Sequence, residues 1–374
     1  MSKKQPQLQI DSHSQWVPQN GRPLIIAGPC SAESEEQVLN TARKLKDIHG
    51  VTVFRAGVWK PRTRPNAFEG MGVPALQWLK TVKQETGLLT AVEVANTNHV
   101  YEALKFGIDV LWIGARTTAN PFSVQDVADA LKGVDVPVWV KNPVNPDLQL
   151  WIGALERLNN AGIKRLGAIH RGFSTYDKTH YRNAPKWDIP IELKRLIPDM
   201  PVICDPSHIA GTRDLISDLS QKALDLAMNG LMIETHIDPA NALSDAAQQL
   251  DPAGLDSLLN ELTFRKTSGD GQDAENLLNA YRNEIDVTDH QIMEMIFRRH
   301  DIVSKIAQYK IDHNMTILQV NRWKELLEDR LEQARQAGVD EDVVKDIFQI
   351  IHNGSIRLQS RLMNQEVAAV DESH

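Results

Sequence analysis

PLIIAGP (23–29) is a short apolar run of the kind that forms a strand buried on both faces of a sheet. Most of the segments between this run and the similar ones after it hold an amphipathic helical stretch, such as SEEQVLNTARKLKDI (34–48). Strands that alternate with helices predict a parallel sheet covered by helices. The seven further runs, at intervals of about 22–37 residues, are VTVFRAG (51–57), LLTAVEV (88–94), VLWIGAR (110–116), PVWVKNP (137–143), RLGAIHR (165–171), PVICDPS (201–207) and GLMIETH (230–236).

The number of these units selects the architecture within the α/β class. Eight strand–helix units in about 240 residues predict a (β/α)8 TIM barrel, which typically needs about 250 residues. A doubly wound sheet is the alternative, but no GxGxxG motif follows the first run. We therefore expect a barrel domain over residues 1–264.

The pattern changes after the polar segment RKTSGDGQD (265–273), which is typical of a linker. Residues 274–374 are predicted to form an all-α domain of three helices, over 274–310, about 320–336 and about 340–366. The first helix carries a long apolar stripe, which would be exposed on a single copy. We therefore expect a homodimer, or a higher oligomer, formed through these C-terminal helices.

Charge and cysteine content narrow the class of protein. Residues 273–374 carry 12 Lys and Arg against 19 Asp and Glu, a net charge of −7, and the remaining residues carry −1. Neither part is a basic nucleic-acid surface, so we expect no nucleic-acid partner. No apolar run approaches the ~18 residues of a membrane helix, and MSKKQPQ is not a signal peptide. With two cysteines and no disulfide framework, we expect a cytoplasmic protein without a membrane partner.

Possible metal ligands follow three of the predicted strands. In a barrel the carboxyl ends of the strands meet at one face. A thiol, an imidazole and two carboxylates there form a mixed set that suits Mn, Fe, Co or Zn in a catalytic site. The alternative is a core cysteine, a solvated histidine and two surface carboxylates. The residues are Cys30, His208, Glu234 and Asp245.

Cationic side chains are expected at the same barrel end. A domain of nearly neutral charge that places so many cations on one rim predicts anionic substrates such as phosphates. Some of these side chains could instead pair with helix carboxylates on the outer face. The cations are Arg55, Lys60, Arg62, Arg64, Arg116, Lys141 and Arg171.

Several motifs give the barrel a close resemblance to the type I-beta 3-deoxy-D-arabino-heptulosonate 7-phosphate (DAHP) synthases. The resemblance covers roughly residues 20–264 and is carried, in order, by AGPCSAE (27–33), KPRT (60–63), IGAR (113–116), VKNP (140–143), IHRG (169–172), DPSH (205–208), MIETH (232–236) and ALSDAAQQL (242–250).

The resemblance implies a metal-dependent condensation of phosphoenolpyruvate with erythrose 4-phosphate, the first step of the shikimate pathway. It implies that the metal, Mn or alternatively Fe, Co or Zn, is held by Cys30, His208, Glu234 and Asp245. Cys30, Lys60 and His208 are expected to take part in catalysis. Phosphoenolpyruvate is expected to bind Arg55, Lys60, Arg116, Lys141 and Arg171, and the erythrose 4-phosphate phosphate is expected to bind Arg62 and Thr63. The KPRT motif disfavours the sister octulosonate synthases, and Glu93 is a candidate for handling water or contacting phosphoenolpyruvate.

The C-terminal domain resembles the all-helical AroQ-type chorismate mutases over nearly its whole length. The resemblance implies that chorismate is rearranged to prephenate by Arg282, Arg299, Lys310, Arg322, Ser355 and Gln359, with Lys310 and Gln359 as the catalytic pair. Gln319 and Trp323 depart from the family's acidic residues. The chain is therefore expected to be bifunctional, with prephenate as a feedback effector. The alternatives are a helical domain that regulates or dimerises with little turnover, and a generic metal-dependent aldolase.

Overall fold

The structure is a computed structural model, and it describes residues 6–12, 22–60, 68–176, 179–265 and 272–371. The chain forms two compact units, Met1–Thr267 and Ser268–His374. Among the described residues, no helix combines the length and the apolar character that a membrane span requires.

Eight parallel strands close into a barrel in sequence order, each paired with its neighbours and the last with the first. Each strand lies inside one of the predicted apolar runs, so the predicted barrel is confirmed and the doubly wound alternative is wrong. The strands are β1 (Leu24–Gly28), β2 (Val51–Arg55), β3 (Leu89–Val94), β4 (Val110–Ile113), β5 (Val138–Lys141), β6 (Leu166–His170), β7 (Val202–Cys204) and β8 (Gly230–Glu234).

Helices cover the outside of the barrel, and their amphipathic spacing buries one face of each against the strands. The first helix begins after Ser34, whose side chain caps it by accepting from the Gln37 amide. The helices are α1 (Glu35–Lys46), α2 (Val73–Thr86), α3 (Thr97–Lys105), α4 (Ala115–Thr118), α5 (Pro121–Ala130), α6 (Leu148–Asn160), α7 (Asp188–Leu196), α8 (Pro206–Ala210), α9 (Ile216–Asp225) and α10 (Pro252–Glu261).

The interior of the barrel is a second, smaller apolar core. Trp112 on β4 and Trp139 on β5 are adjacent in the sheet register, and both are fully buried. Bulky side chains fill the barrel axis, as in other barrels of this type, so the axis is a packed core rather than a channel. A ligand can therefore reach only the rim, where the strands end.

The C-terminal unit consists of α11 (Gln272–Asp312), α12 (Val320–Ala337) and α13 (Glu341–Asp371). Gly338 ends α12 with a φ of 67°, which a glycine adopts at little cost. The three helices match the three predicted ones. The helix α11 exposes a run of apolar side chains, including Leu277, Ile285 and Ile292. Dimerisation through this surface stays a prediction.

Candidate active sites

A small cavity of about 110 Å³ lies at the carboxyl ends of the strands. The rim brings together residues that are far apart in the sequence, because the ends of different strands meet there. The described residues that line the cavity are Cys30, Arg55, Gly57, Trp59, Lys60, Glu93, Arg116, Lys141, Arg171, Arg182, His208 and Asp245.

Three of the predicted metal ligands form one cluster. The ligand atoms of Cys30, Glu234 and Asp245 all lie within 4.8 Å of one another. The Cys30 thiol donates to Asp245 Oδ2 at 3.2 Å. Asp245 has a φ of 47°, a left-handed conformation that is uncommon for a residue with a side chain and often marks a functional position.

The fourth predicted ligand, His208, stands at the edge of this cluster. Its Nε2 lies 3.7 Å from Glu234 Oε1, and its Nδ1 lies 2.8 Å from Asp205 Oδ2. Asp205 caps α8 by accepting from the His208 amide, which fixes the pair relative to each other. Burial lowers the pKa of His208 against the opposing charge of Asp205. Because Nδ1 contacts Asp205, Nε2 is the ring nitrogen that could bind a metal.

The electrostatics of the cluster favour a cation between these groups. Burial and the charge of Glu234 raise the pKa of the Cys30 thiol to about 12. Burial opposes ionisation of Glu234, but His208, Arg55 and Lys60 outweigh it and lower the pKa of this carboxyl. Glu234 Oε1 is buried and makes no hydrogen bond to any described residue. The Lys60 ammonium contacts the Cys30 sulfur, so a positive charge already approaches it. A buried carboxylate oxygen, a thiol and an imidazole nitrogen fit a divalent transition metal.

The predicted phosphate-binding cations line the same cavity. Arg55 is 2% exposed, lies 3.3 Å from Glu234 and stacks over the Trp112 ring. Lys141 is also buried and lies 2.7 Å from Asp205 Oδ2. Arg116 and Arg171 complete the rim. Arg62, Thr63 and Arg64 lie outside the described residues.

Arg171 is held by a neighbouring amide. Its Nη1 donates to Asn183 Oδ1 at 2.7 Å, while Asn183 Nδ2 donates to the His208 carbonyl. Burial lowers the pKa of Arg171 to about 10, so it still carries its charge at neutral pH. The side chain is therefore a fixed cation that faces the cavity.

Sequence reasoning missed several residues of this site. Arg182 lines the cavity and binds Asp245, but it follows no strand directly and so carried no positional signal. Gln248 donates to Glu234 Oε2 at 2.6 Å, and its place beside Asp245 in the same motif could have indicated it. Trp112 donates to Glu93 Oε2 at 2.9 Å, which places the Glu93 carboxylate at the cavity wall.

A second candidate site lies within the helical unit. A groove of about 630 Å³ is lined by residues of α11 and α13, among them Arg299 and Ser355. Arg299 Nη1 donates to Ser355 Oγ at 2.5 Å. Gln359 is one turn after Ser355 and is 7% exposed, with no hydrogen-bond partner for its Oε1 among the described residues. Lys310 is equally buried and donates to the Ile317 carbonyl.

Lys310 and Gln359 do not line this groove, and neither do the two remaining predicted mutase residues. Arg282 is exposed and donates to Asn279 on its own helix. Arg322 is exposed and lies 3.6 Å from Glu325. Trp323 stacks on His352 with ring centroids 3.9 Å apart, which ties α12 to α13. Within one chain the mutase residues thus assemble only in part.

Comparison with known proteins identifies a family for each part of the chain. The DAHP synthetase I family matches residues 7–267, and chorismate mutase type II matches residues 281–360. A phospho-2-dehydro-3-deoxyheptonate aldolase of Thermotoga maritima is 32% identical over 243 residues, covering 65% of this chain and 70% of the relative. A 2-dehydro-3-deoxyphosphooctonate aldolase of Variovorax paradoxus is 29% identical over 265 residues, covering 64% and 88%.

Solved structures give the same result. The DAHP synthase of Thermotoga maritima superposes with a TM-score of 0.59 at 31% identity, covering 65% of this chain and 68% of that chain. A truncated form of that enzyme has a TM-score of 0.56 at 28% identity, covering 65% and 86%. The chain therefore belongs to the DAHP synthetase I family and carries a chorismate mutase type II domain after its barrel.

Proposed function

We propose that the barrel condenses phosphoenolpyruvate with erythrose 4-phosphate in a reaction that depends on a divalent metal. The observation that carries this proposal is the convergence of a thiol, an imidazole and two carboxylates beside a ring of cations. The first group suits a metal and the second suits two phosphorylated substrates. Mn, Fe, Co and Zn all accept this ligand set. We propose Mn, with Fe, Co and Zn as the alternatives.

The reaction balances with water as the third reactant. C3 of phosphoenolpyruvate forms a bond to the aldehyde carbon, water adds at C2, and inorganic phosphate leaves. Cys30, His208, Glu234 and Asp245 would hold the metal, which would supply a Lewis acid for the aldehyde oxygen. The protein's own task is to fix the two substrates against each other, which replaces a bimolecular encounter with a positioned one.

The buried cations would hold phosphoenolpyruvate. Arg55, Lys141 and Arg171 are each fixed by a carboxylate or amide partner, so they bind an anion without losing further conformational freedom. Lys60, with its ammonium against Cys30, would reach the same substrate and also approach the reacting atoms. Glu93 faces the cavity among cations and could hold the attacking water.

Metal removal tests the barrel proposal. Chelation should abolish condensation, and added Mn should restore it to the wild type but not to Cys30→Ala. Cys204→Ala is the matched control, because Cys204 is an equally buried free cysteine on β7 outside the cavity. Full condensation activity in the presence of chelator would refute the metal dependence. Comparison of erythrose 4-phosphate with arabinose 5-phosphate tests the aldehyde, and preference for arabinose 5-phosphate would refute the expectation from KPRT.

We propose that the helical domain converts chorismate to prephenate. Arg299, held by Ser355, would pair with a substrate carboxylate. Lys310 and Gln359 would donate to the ether oxygen, where negative charge develops as its bond to carbon breaks. The alternative is a regulatory domain with little turnover, and it is favoured by the exposed Arg282 and Arg322. The rate of chorismate loss distinguishes the two.

A dimer would complete this site. Arg282 precedes Arg299 by 17 residues, which is about 26 Å along one straight helix, so a single copy cannot bring both to one ligand. A second copy packed against the exposed apolar side chains of α11 could supply the missing arginine. Prephenate, the product of this domain, would then be placed to bias the arrangement of the barrels and inhibit the synthase. Inhibition by prephenate that survives Arg299→Ala would refute this route.

A further inference from the structure

In each of the two carboxylates of the metal cluster, one oxygen accepts a hydrogen bond from a residue outside the cluster. Glu234 Oε2 accepts from Gln248 Nε2 at 2.6 Å, and Asp245 Oδ1 accepts from Arg182 Nη1 at 3.1 Å. The same Arg182 nitrogen donates to Gln248 Oε1 at 2.6 Å. The four side chains therefore form one continuous chain of hydrogen bonds that links Asp245 to Glu234.

The remaining oxygens of the two carboxylates are Asp245 Oδ2 and Glu234 Oε1. Asp245 Oδ2 accepts from the Cys30 thiol at 3.2 Å, and Glu234 Oε1 is the buried atom without a hydrogen bond to any described residue. A carboxylate with two free oxygens can bind a cation with one or both of them. Because Gln248 and Arg182 hold one oxygen of each, the other oxygen of each carboxylate is the one that a metal ion could reach; Glu234 Oε1 also lies 3.3 Å from Arg55 Nη1.

The turn that carries Gln248 is itself held in place. Gln248 is 1% exposed, and both of its amide atoms are used. Arg213 donates to two carbonyls of the turn 246–249, at 2.6 and 2.7 Å. The Leu250 amide donates to the Glu234 carbonyl at 2.9 Å, so the end of the turn is aligned with the end of β8. The Gln248 amide group therefore stands in one position relative to Glu234.

We infer that Gln248, braced by Arg182, is a positioning residue that presents one oxygen of Glu234 and one of Asp245 to a divalent metal ion. The inference rests on the proposed metal site. It adds that residues which do not bind the metal themselves set the affinity of the site for the metal. Loss of such an outer hydrogen bond typically weakens metal binding by about 10–100-fold. We expect that loss for Gln248→Met, which has a similar volume and no polar group.

The experiment measures Co(II) binding to the full chain, by competition with a chelator and by the charge-transfer absorption of the cysteine–cobalt bond. Gln125→Met is the matched control. Gln125 accepts from Arg157 at 2.9 Å and donates to Asp129 at 3.1 Å, so it makes the same kind of bridge on the outside of the barrel. We expect weaker Co(II) binding and a shifted absorption band for Gln248→Met, and wild-type values for Gln125→Met.

Arg182→Met separates positioning from charge. If only electrostatics matters, removal of a cation beside the site should strengthen the binding of a divalent ion. If Arg182 acts by positioning, its removal should weaken that binding. This variant also carries the test if Gln248→Met does not fold, because the Arg182 side chain is half-exposed. Unchanged or tighter Co(II) binding in the folded variants, or an equal loss in the Gln125 control, overturns the inference. A wild type that binds no Co(II) through the thiol would instead refute the proposed metal site.

Discussion

The buried ion pair between Lys141 and Asp205 should contribute far more to stability than an exposed pair of the same length. Lys141 Nζ lies 2.7 Å from Asp205 Oδ2, and the two side chains are 5% and 0% exposed. Lys132 Nζ lies 2.7 Å from Asp129 Oδ1, but those side chains are 62% and 48% exposed. The two pairs differ in burial and not in distance, so they isolate the effect of the solvent.

Lys141→Met removes one partner and leaves the Asp205 carboxylate in the interior. Burial opposes ionisation of Asp205, yet His208 and Lys141 together keep its pKa well below the ordinary value. Breaking a buried pair costs about 3–5 kcal/mol, and we expect about 3 kcal/mol because the His208 amide and ring still donate to Asp205. Lys132→Met should change the free energy of unfolding little, since water screens that pair.

The assay is denaturant unfolding of the full chain, followed by tryptophan fluorescence, which reports mainly on the barrel because Trp323 is the one tryptophan beyond residue 267. Asp205→Asn in the Lys141→Met background should recover much of the loss, because it removes the unpaired charge. A cost for Lys141→Met no larger than that for Lys132→Met would refute the reasoning, as would a double variant less stable than Lys141→Met.

Three further predictions concern the two activities and pH. Lys310→Ala should lower mutase turnover by about 10²–10³ and leave condensation nearly intact, and an unchanged mutase rate would place the chemistry elsewhere. Prephenate should inhibit condensation by the intact wild type, and Arg299→Ala should desensitise it, as measured by phosphate release. His170 is fully buried, and burial followed by the charge of Arg171 lowers its pKa to about 3. Between pH ~6.5 and ~3 the unfolded chain binds the additional proton, so stability falls as pH falls, by about 1.4 kcal/mol per unit. His170→Asn should flatten that slope in denaturation measured between pH 6.5 and 4.5, while the exposed His49→Asn should not.

Much of the barrel could be predicted because its information is local. A strand buried on both faces must be apolar along its length. PLIIAGP and the seven later runs can therefore each be recognised as a strand from their own sequence. The closing of the sheet then brings strand ends to one rim, so Cys30, Lys141 and Glu234 could be expected together. The three C-terminal helices could be predicted for the same reason, since helical periodicity is a property of neighbouring residues.

Only the tertiary structure decided the contacts between segments that are far apart in the sequence and follow no repeating pattern. The sequence by itself indicated Cys30 and Asp245 as ligands, but it could not show that Arg182 holds one oxygen of Asp245, or that Gln248 holds one of Glu234. It also could not show that Arg299 donates to Ser355 on another helix. Hydrogen bonds depend on direction and on tenths of an ångström, and these are set by the packing of the whole barrel rather than by the spacing of residues along the chain.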